Sequence, residues 1–126
     1  LDTSITFFGK VSAQEKFQKL QKAHLLIHGS YKEGWGIVVI EANAVGTPAV
    51  AFDAEGLRDS IKNAETGYLA KDESEYVQYI LELLRDQNKN KQFQINAQKW
   101  SKNFSWDLAT NQSLKLIAEI QNTWKS

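Results

Sequence analysis

"HLLIHGSYKEGWGIVVIEANAVGTPAVAF", residues 24–52, is the stretch that decides how this chain folds. Its first apolar run stops at Gly29 and reads as a short, buried parallel strand. A polar, glycine-bearing loop then leads into an aliphatic helix over roughly Gly36 to Val45. Gly46 stands where a helix C-cap is expected, Pro48 follows two residues later, and "PAVAF" supplies the next strand. Strand, loop, helix and strand in that order form the repeating unit of a parallel α/β sheet.

Upstream, "SITFF" (4–8) is a β-branched and aromatic run ended by Gly9, and predicts a strand. Ser12 with Glu15 three residues on is a capping-box pattern, opening a helix through about Ala23 with Phe17 and Leu20 on its inner face. Downstream, residues 57–62 predict a short helix, "NAETG" (63–67) a turn and "YLA" (68–70) a last strand. Helices over 74–86, 90–101 and 107–124 follow. The first places Val77, Ile80, Leu81 and Leu84 at i, i+3, i+4 and i+7, and the second aligns Phe93, Ala97 and Trp100. The third carries Leu114, Ile117, Ala118, Gln121 and Trp124 behind Asp107 as its N-cap.

The expected fold is α/β, a Rossmann-like open parallel sheet with flanking helices and a helical C-terminal tail, in one domain over residues 1–126. Four short strands make a thin sheet, and the sequence contains no methionine. Both features point to a piece of a longer polypeptide that lacks its upstream part.

Composition removes several classes of function. Fifteen basic residues balance fifteen acidic ones, so no net field recruits nucleic acid or an anionic membrane. Cysteine is absent, which excludes disulfides, thiolate metal sites and cysteine nucleophiles. His24 and His28 have no third ligand at metal-site spacing, so no metal is expected. No run approaches the roughly 18 apolar residues of a membrane span, and "LDTSITFFGK" lacks the layout of a signal peptide. A cytoplasmic location is the expectation.

The loop before the helix is the candidate site. In parallel α/β sheets ligands bind beyond the carboxyl ends of strands, where helix N-termini also point. First-turn N–H groups lack internal partners and sit at the positive end of the helix, which suits a phosphate. Gly34 and Gly36 let an anion approach the backbone. Glu33 and Glu41 stand eight residues apart, about 12 Å if the spacing were all helical. That is the reach from a sugar, past a diphosphate, to a ribose, and a carboxylate accepts well from vicinal hydroxyls. Two acids at this spacing are also what a plain solvent-exposed helix carries. The residues alone leave both readings open, including a self-contained flavodoxin-like binding module.

The segment "SYKEGWGIVVIEANAVGTPAVAFDAEGLRDSIKNAETGYL" (30–69) resembles the donor-binding heart of the retaining glycosyltransferases of glycosyltransferase family 4. That family has a Glu, seven residues, then Glu, matched by Glu33 and Glu41. Its Ala–Gly–Thr/Ile–Pro stretch is matched by Ala44, Gly46, Thr47 and Pro48, and its Thr–Gly turn by Thr66 and Gly67. "FFGKVSAQEKFQKLQKAHLLIHGS" (7–30) and "FSWD" (104–107) are similar to the family's flanking motifs. The family often has Asp where His24 stands, Pro where Gly29 stands and Met where Asn43 stands.

The resemblance implies a GT-B architecture, two Rossmann-like domains with a cleft between them, of which this chain is most of the C-terminal, nucleotide-sugar-binding domain. The N-terminal acceptor domain and the first strands of the C-terminal domain, which supply an Arg and a Lys to the donor diphosphate, have no counterpart here. Glu33 is then the catalytic-side acid that contacts the donor sugar, with Ser30, Gly34 and Trp35 lining the pocket. The backbone of Gly36 and Ile37 takes the diphosphate, Glu41 the ribose, and the loop of Gly9, Lys10 and Val11 the nucleobase. The reaction implied is transfer of a hexosyl group from a nucleotide-diphosphate sugar to an acceptor hydroxyl of a glycan or lipid, with retention. No nucleophile of the retaining-glycosidase kind can be picked from this chain. The family account uses the leaving phosphate itself, steadied by positive groups, with no metal cofactor. Peripheral membrane association belongs at most to a full-length protein, since no basic amphipathic helix is present.

His28 is either structural or at the pocket, and Trp35 either covers a ligand or packs at the loop. Gly56 meets a backbone need, and Arg58 forms a surface ion pair or approaches phosphate. Trp100, Trp106 and Trp124 belong to the core or to an interface left uncovered.

Overall fold

The computed structural model describes residues 3–125. The chain runs α1 (Ala13–Lys22), β1 (Leu26–His28), α2 (Ile37–Ala44), β2 (Ala49–Phe52), α3 (Leu57–Ser60), β3 (Gly67–Ala70), α4 (Glu73–Arg85), α5 (Gln87–Ser101) and α6 (Trp106–Lys125). The strands form one parallel sheet in the order β1-β2-β3. Leu26 pairs with Ala49 and His28 with Ala51, and Ala49 pairs in turn with Gly67.

β2 is central and buried along its whole length, as its unbroken apolar sequence requires. Its alternate side chains feed two cores. Ala49 and Ala51 face Val39 of α2 and Leu57 of α3, with Ile61 beside them. Val50 points the other way, toward Tyr68, Leu83 of α4 and Phe93 of α5. The sheet is therefore covered on both faces, the condition under which parallel pairing is stable.

Local signals set most boundaries. The Ser12 hydroxyl accepts from the Glu15 N–H and the Glu15 carboxylate accepts from the Ser12 N–H, a complete capping box. Asp72 and Asp86 cap α4 and α5 through their carboxylates. The Thr47 hydroxyl donates to the Leu20 carbonyl at 2.5 Å, tying the end of α1 to the turn after α2.

Three expectations need correction. Residues 4–8 form no strand: Phe7 is 80% exposed, and the outer edge of β1 is unpaired among the described residues. A strand needs a ladder, and without one this apolar run stays exposed, touching α1 where the Lys19 ammonium lies 3.4 Å from the centre of the Phe8 ring. The sheet accordingly has three strands among the described residues rather than four. In α4 the core side is Tyr76, Tyr79, Ile80 and Leu83, whereas Val77, Leu81 and Leu84 of the expected stripe are exposed. Phe93 and Tyr68 draw the tyrosine face inward by ring contact, Tyr68 and Tyr79 stacking at 4.2 Å. The N-cap of α6 is Ser105, whose hydroxyl accepts from the Leu108 N–H, and Asp107 lies in the first turn instead.

The helical tail carries its apolar residues outward. Leu114, Ile117 and Trp124 are all exposed, as is Trp106 at its start. Trp100 is half-buried, and its indole N–H donates to the Ser60 carbonyl at 3.1 Å.

Candidate functional site

β1 ends at His28, and the chain needs residues 29–36 to reverse direction before α2 begins at Ile37. Four contacts shape this loop. The Ser30 hydroxyl donates to the Lys32 carbonyl at 2.6 Å. The Tyr31 ring stacks on Phe52 at 4.2 Å, and Phe52 in turn on Tyr76 at 4.4 Å. The Glu33 and Gly34 carbonyls press on Gly56, where a Cβ would collide with backbone. Last, His28 Nε2 lies 3.1 Å from Glu33 Oε2. Gly56 does meet a backbone need, because only glycine lets the loop settle on the turn after β2.

Gly36 enters α2 with φ +76° and no side-chain cap. It is buried, and a Cβ there would sit 2.6 Å from Leu57 Cδ2. Its glycine therefore serves the left-handed entry of the helix and its close packing on α3. Gly34 has open space where a Cβ would be, so the steric room expected of both glycines belongs to Gly34. The first-turn N–H groups of α2 remain without a side-chain acceptor at the positive end of the helix.

The two acids stand on either side of that end. Glu33 lines an open cavity of about 490 Å³ with Tyr31, Lys32, Gly34 and Glu55. Glu41, in the second turn of α2, accepts from Lys16 Nζ of α1 at 2.9 Å and borders an apolar cavity of about 500 Å³. Because α2 starts only at Ile37, the along-helix distance between the acids applies to the second half of their spacing alone. Gly9, Lys10 and Val11 form the turn before Ser12, with Gly9 at φ +60°. They precede α1, whose Lys16 pairs with Glu41.

Other candidates take structural partners. Trp35 meets the Phe104 ring edge-on at 5.1 Å and so packs against the α5–α6 turn. Arg58 donates from Nε to Asp53 at 2.7 Å, which commits it to an ion pair. That guanidinium holds the Asp53 carboxyl below its ordinary range, chiefly through the hydrogen bond. Lys16 was not singled out from sequence. It shares the α1 face of Leu20, four residues on, and that periodicity is the signal that would have found it. Among the described residues no group of three His, Asp or Glu side chains is placed to hold a metal ion, and no helix is long and apolar enough to cross a membrane.

Comparison with known proteins identifies the family of the chain. Residues 1–100 match the family described as glycosyl transferases group 1. The chain is 32% identical over 123 residues to a GDP-Man:Man(3)GlcNAc(2)-PP-Dol alpha-1,2-mannosyltransferase of Dictyostelium discoideum, covering 97% of this chain and 24% of that protein. It is 30% identical over 104 residues to a D-inositol 3-phosphate glycosyltransferase of Nocardia farcinica, covering 81% and 23%. The sucrose-phosphate synthase of Thermosynechococcus elongatus superposes with a TM-score of 0.83 at 26% identity, over 94% of this chain and 30% of that one. Anabaena HepE, solved in complex with UDP, gives 0.74 at 25% identity over 81% and 29%. This chain thus spans about a quarter to a third of the relatives it matches. The sheet and its helices are those of a GT-B glycosyltransferase, and the chain belongs to the group 1 glycosyl transferases.

Proposed function

We propose that this chain is the donor-binding part of a retaining glycosyltransferase, which moves a hexosyl group from a nucleotide-diphosphate sugar to an acceptor hydroxyl. The observation that carries the reading is the N-terminus of α2: it has no side-chain cap and is flanked by Glu33 in the loop and Glu41 in the second turn. The N–H groups of Gly36 and Ile37 contact the diphosphate, since oriented amides at a helix start stabilise negative charge. Glu33 accepts from hydroxyls of the sugar. Glu41 exchanges Lys16 for the ribose hydroxyls, and the turn of Gly9, Lys10 and Val11 meets the base.

As the bond to the anomeric carbon breaks, negative charge grows on the diphosphate, and the helix end stabilises it where it develops. No metal is needed for that step. The acceptor, a glycan or lipid, is bound by another part of the protein, and the cytoplasm is where we place the reaction. The support is the family membership together with relatives such as HepE, whose structure contains UDP.

Calorimetric titration of the whole protein carrying this chain with uridine, guanosine and adenosine diphosphate sugars tests the reading. One of them should bind, and Glu41→Ala should weaken it by about tenfold, the loss of a hydrogen-bonded charged acceptor. If none binds, or if the substitution leaves affinity unchanged, the reading fails.

A further inference from the structure

His28 has no role in the scheme above, yet its placement is specific. It is the last residue of β1, its side chain is 17% exposed, and its Nε2 lies 3.1 Å from Glu33 Oε2. The backbone of the loop between them is already held by the Ser30–Lys32 hydrogen bond, by Tyr31 on Phe52 and by Gly56 beneath Glu33 and Gly34. What these contacts do not hold is the carboxylate itself, which has three rotatable bonds and a loss of rotamer entropy on being fixed. Glu33 Oε1 has no partner among the described residues, and Glu33 borders the open cavity.

We propose that His28 is a positioning residue for Glu33: its imidazole pairs through Nε2 with one carboxylate oxygen, 3.1 Å away, and leaves the other turned to the donor sugar. The inference rests on the donor-binding reading and adds to it the residue that sets sugar recognition. With one oxygen committed, Glu33 reaches the sugar through a single fixed acceptor. A hexose then gains a preformed hydrogen bond, whereas a bare nucleoside diphosphate gains nothing from His28.

The test compares the affinity of the whole protein for a nucleotide sugar and for its nucleoside diphosphate, in wild type, His28→Leu, His28→Gln, Glu33→Ala and the double variant His28→Leu/Glu33→Ala. His28→Leu should lower affinity for the nucleotide sugar by about tenfold while leaving the diphosphate within about twofold, as expected for losing the one polar neighbour that holds the carboxylate. His28→Gln, which keeps an N–H donor at the same reach, should restore most of it. The double variant should be no worse than Glu33→Ala, since the two side chains act through one contact. Equal losses for both ligands would mean that His28 only holds the loop, and no loss, or additive losses, would mean that it does not act through Glu33. Each of these overturns the proposal while leaving the donor reading intact. Failure of wild type to bind either ligand overturns both.

Discussion

Replacing Asn43 by leucine should make the protein more stable. Asn43 lies in α2, is fully buried, and neither Oδ1 nor Nδ2 has a hydrogen-bond partner. A buried amide without partners costs about 1–3 kcal/mol by the measure of protein substitutions. Leucine has the same number of side-chain heavy atoms and the same branch point, so it removes both unpaired atoms with little change of shape. Against this stands the tighter packing of two methyl groups where flat polar atoms fitted, a cost of about 1 kcal/mol. The balance is a gain of up to about 2 kcal/mol. For a chain of this size that raises the melting temperature by up to roughly 10 °C.

Urea unfolding with linear extrapolation, read beside thermal melts, measures the change, and the m-value should stay constant. Asn43→Ala is the control: it also removes the polar atoms but leaves a cavity, and should gain less than leucine. A leucine variant less stable than wild type would show that the amide is satisfied in the folded protein, by an internal water, and would refute the reasoning.

Two further outcomes follow from other parts of the fold. Gly36→Ala should cost about 2 kcal/mol or more, from its φ of +76° and the contact with Leu57 Cδ2, whereas Gly34→Ala should stay within about 0.5 kcal/mol; urea titrations of the pair decide it. Glu82 accepts from Lys89 and from the Tyr68 hydroxyl, and the Lys89 hydrogen bond is the main cause holding its carboxyl below the ordinary value. A depressed folded pKa adds stability above the unfolded value and loses it as pH falls through the folded one, so Glu82→Gln should flatten the acid side of a stability–pH curve. An unchanged slope below the ordinary carboxylate range would contradict this.

Much of the fold was legible because local chemistry and periodicity agreed. Ser12 with Glu15 and Gly46 with Pro48 mark a helix start and a helix stop locally, and the unbroken apolar run of β2 found a ladder on each side. Residues 4–8 misled because β-branched and aromatic residues say that a segment suits a ladder, not that a ladder is there. In α4 nearly every second residue is apolar, so two overlapping stripes satisfy the helical period. The choice fell to ring contacts with Tyr68 and Phe93, which lie elsewhere in the sequence. The site divided in the same way. Glycines and acids could be placed beside the start of α2, but the pairs His28–Glu33 and Lys16–Glu41 depend on loop shape and helix packing.

The carbonyls of Glu33 and Gly34 rest on Gly56 with no side chain between them. Surfaces that meet backbone to backbone are matched in length before they are matched in composition. Exchange of an exposed residue such as Lys32 leaves that match untouched, while one residue added between Gly29 and Gly36 would lift the loop from its seat. The reach of Glu33 is thus fixed by counting residues, and variation in this protein should show itself there as substitution, never as insertion.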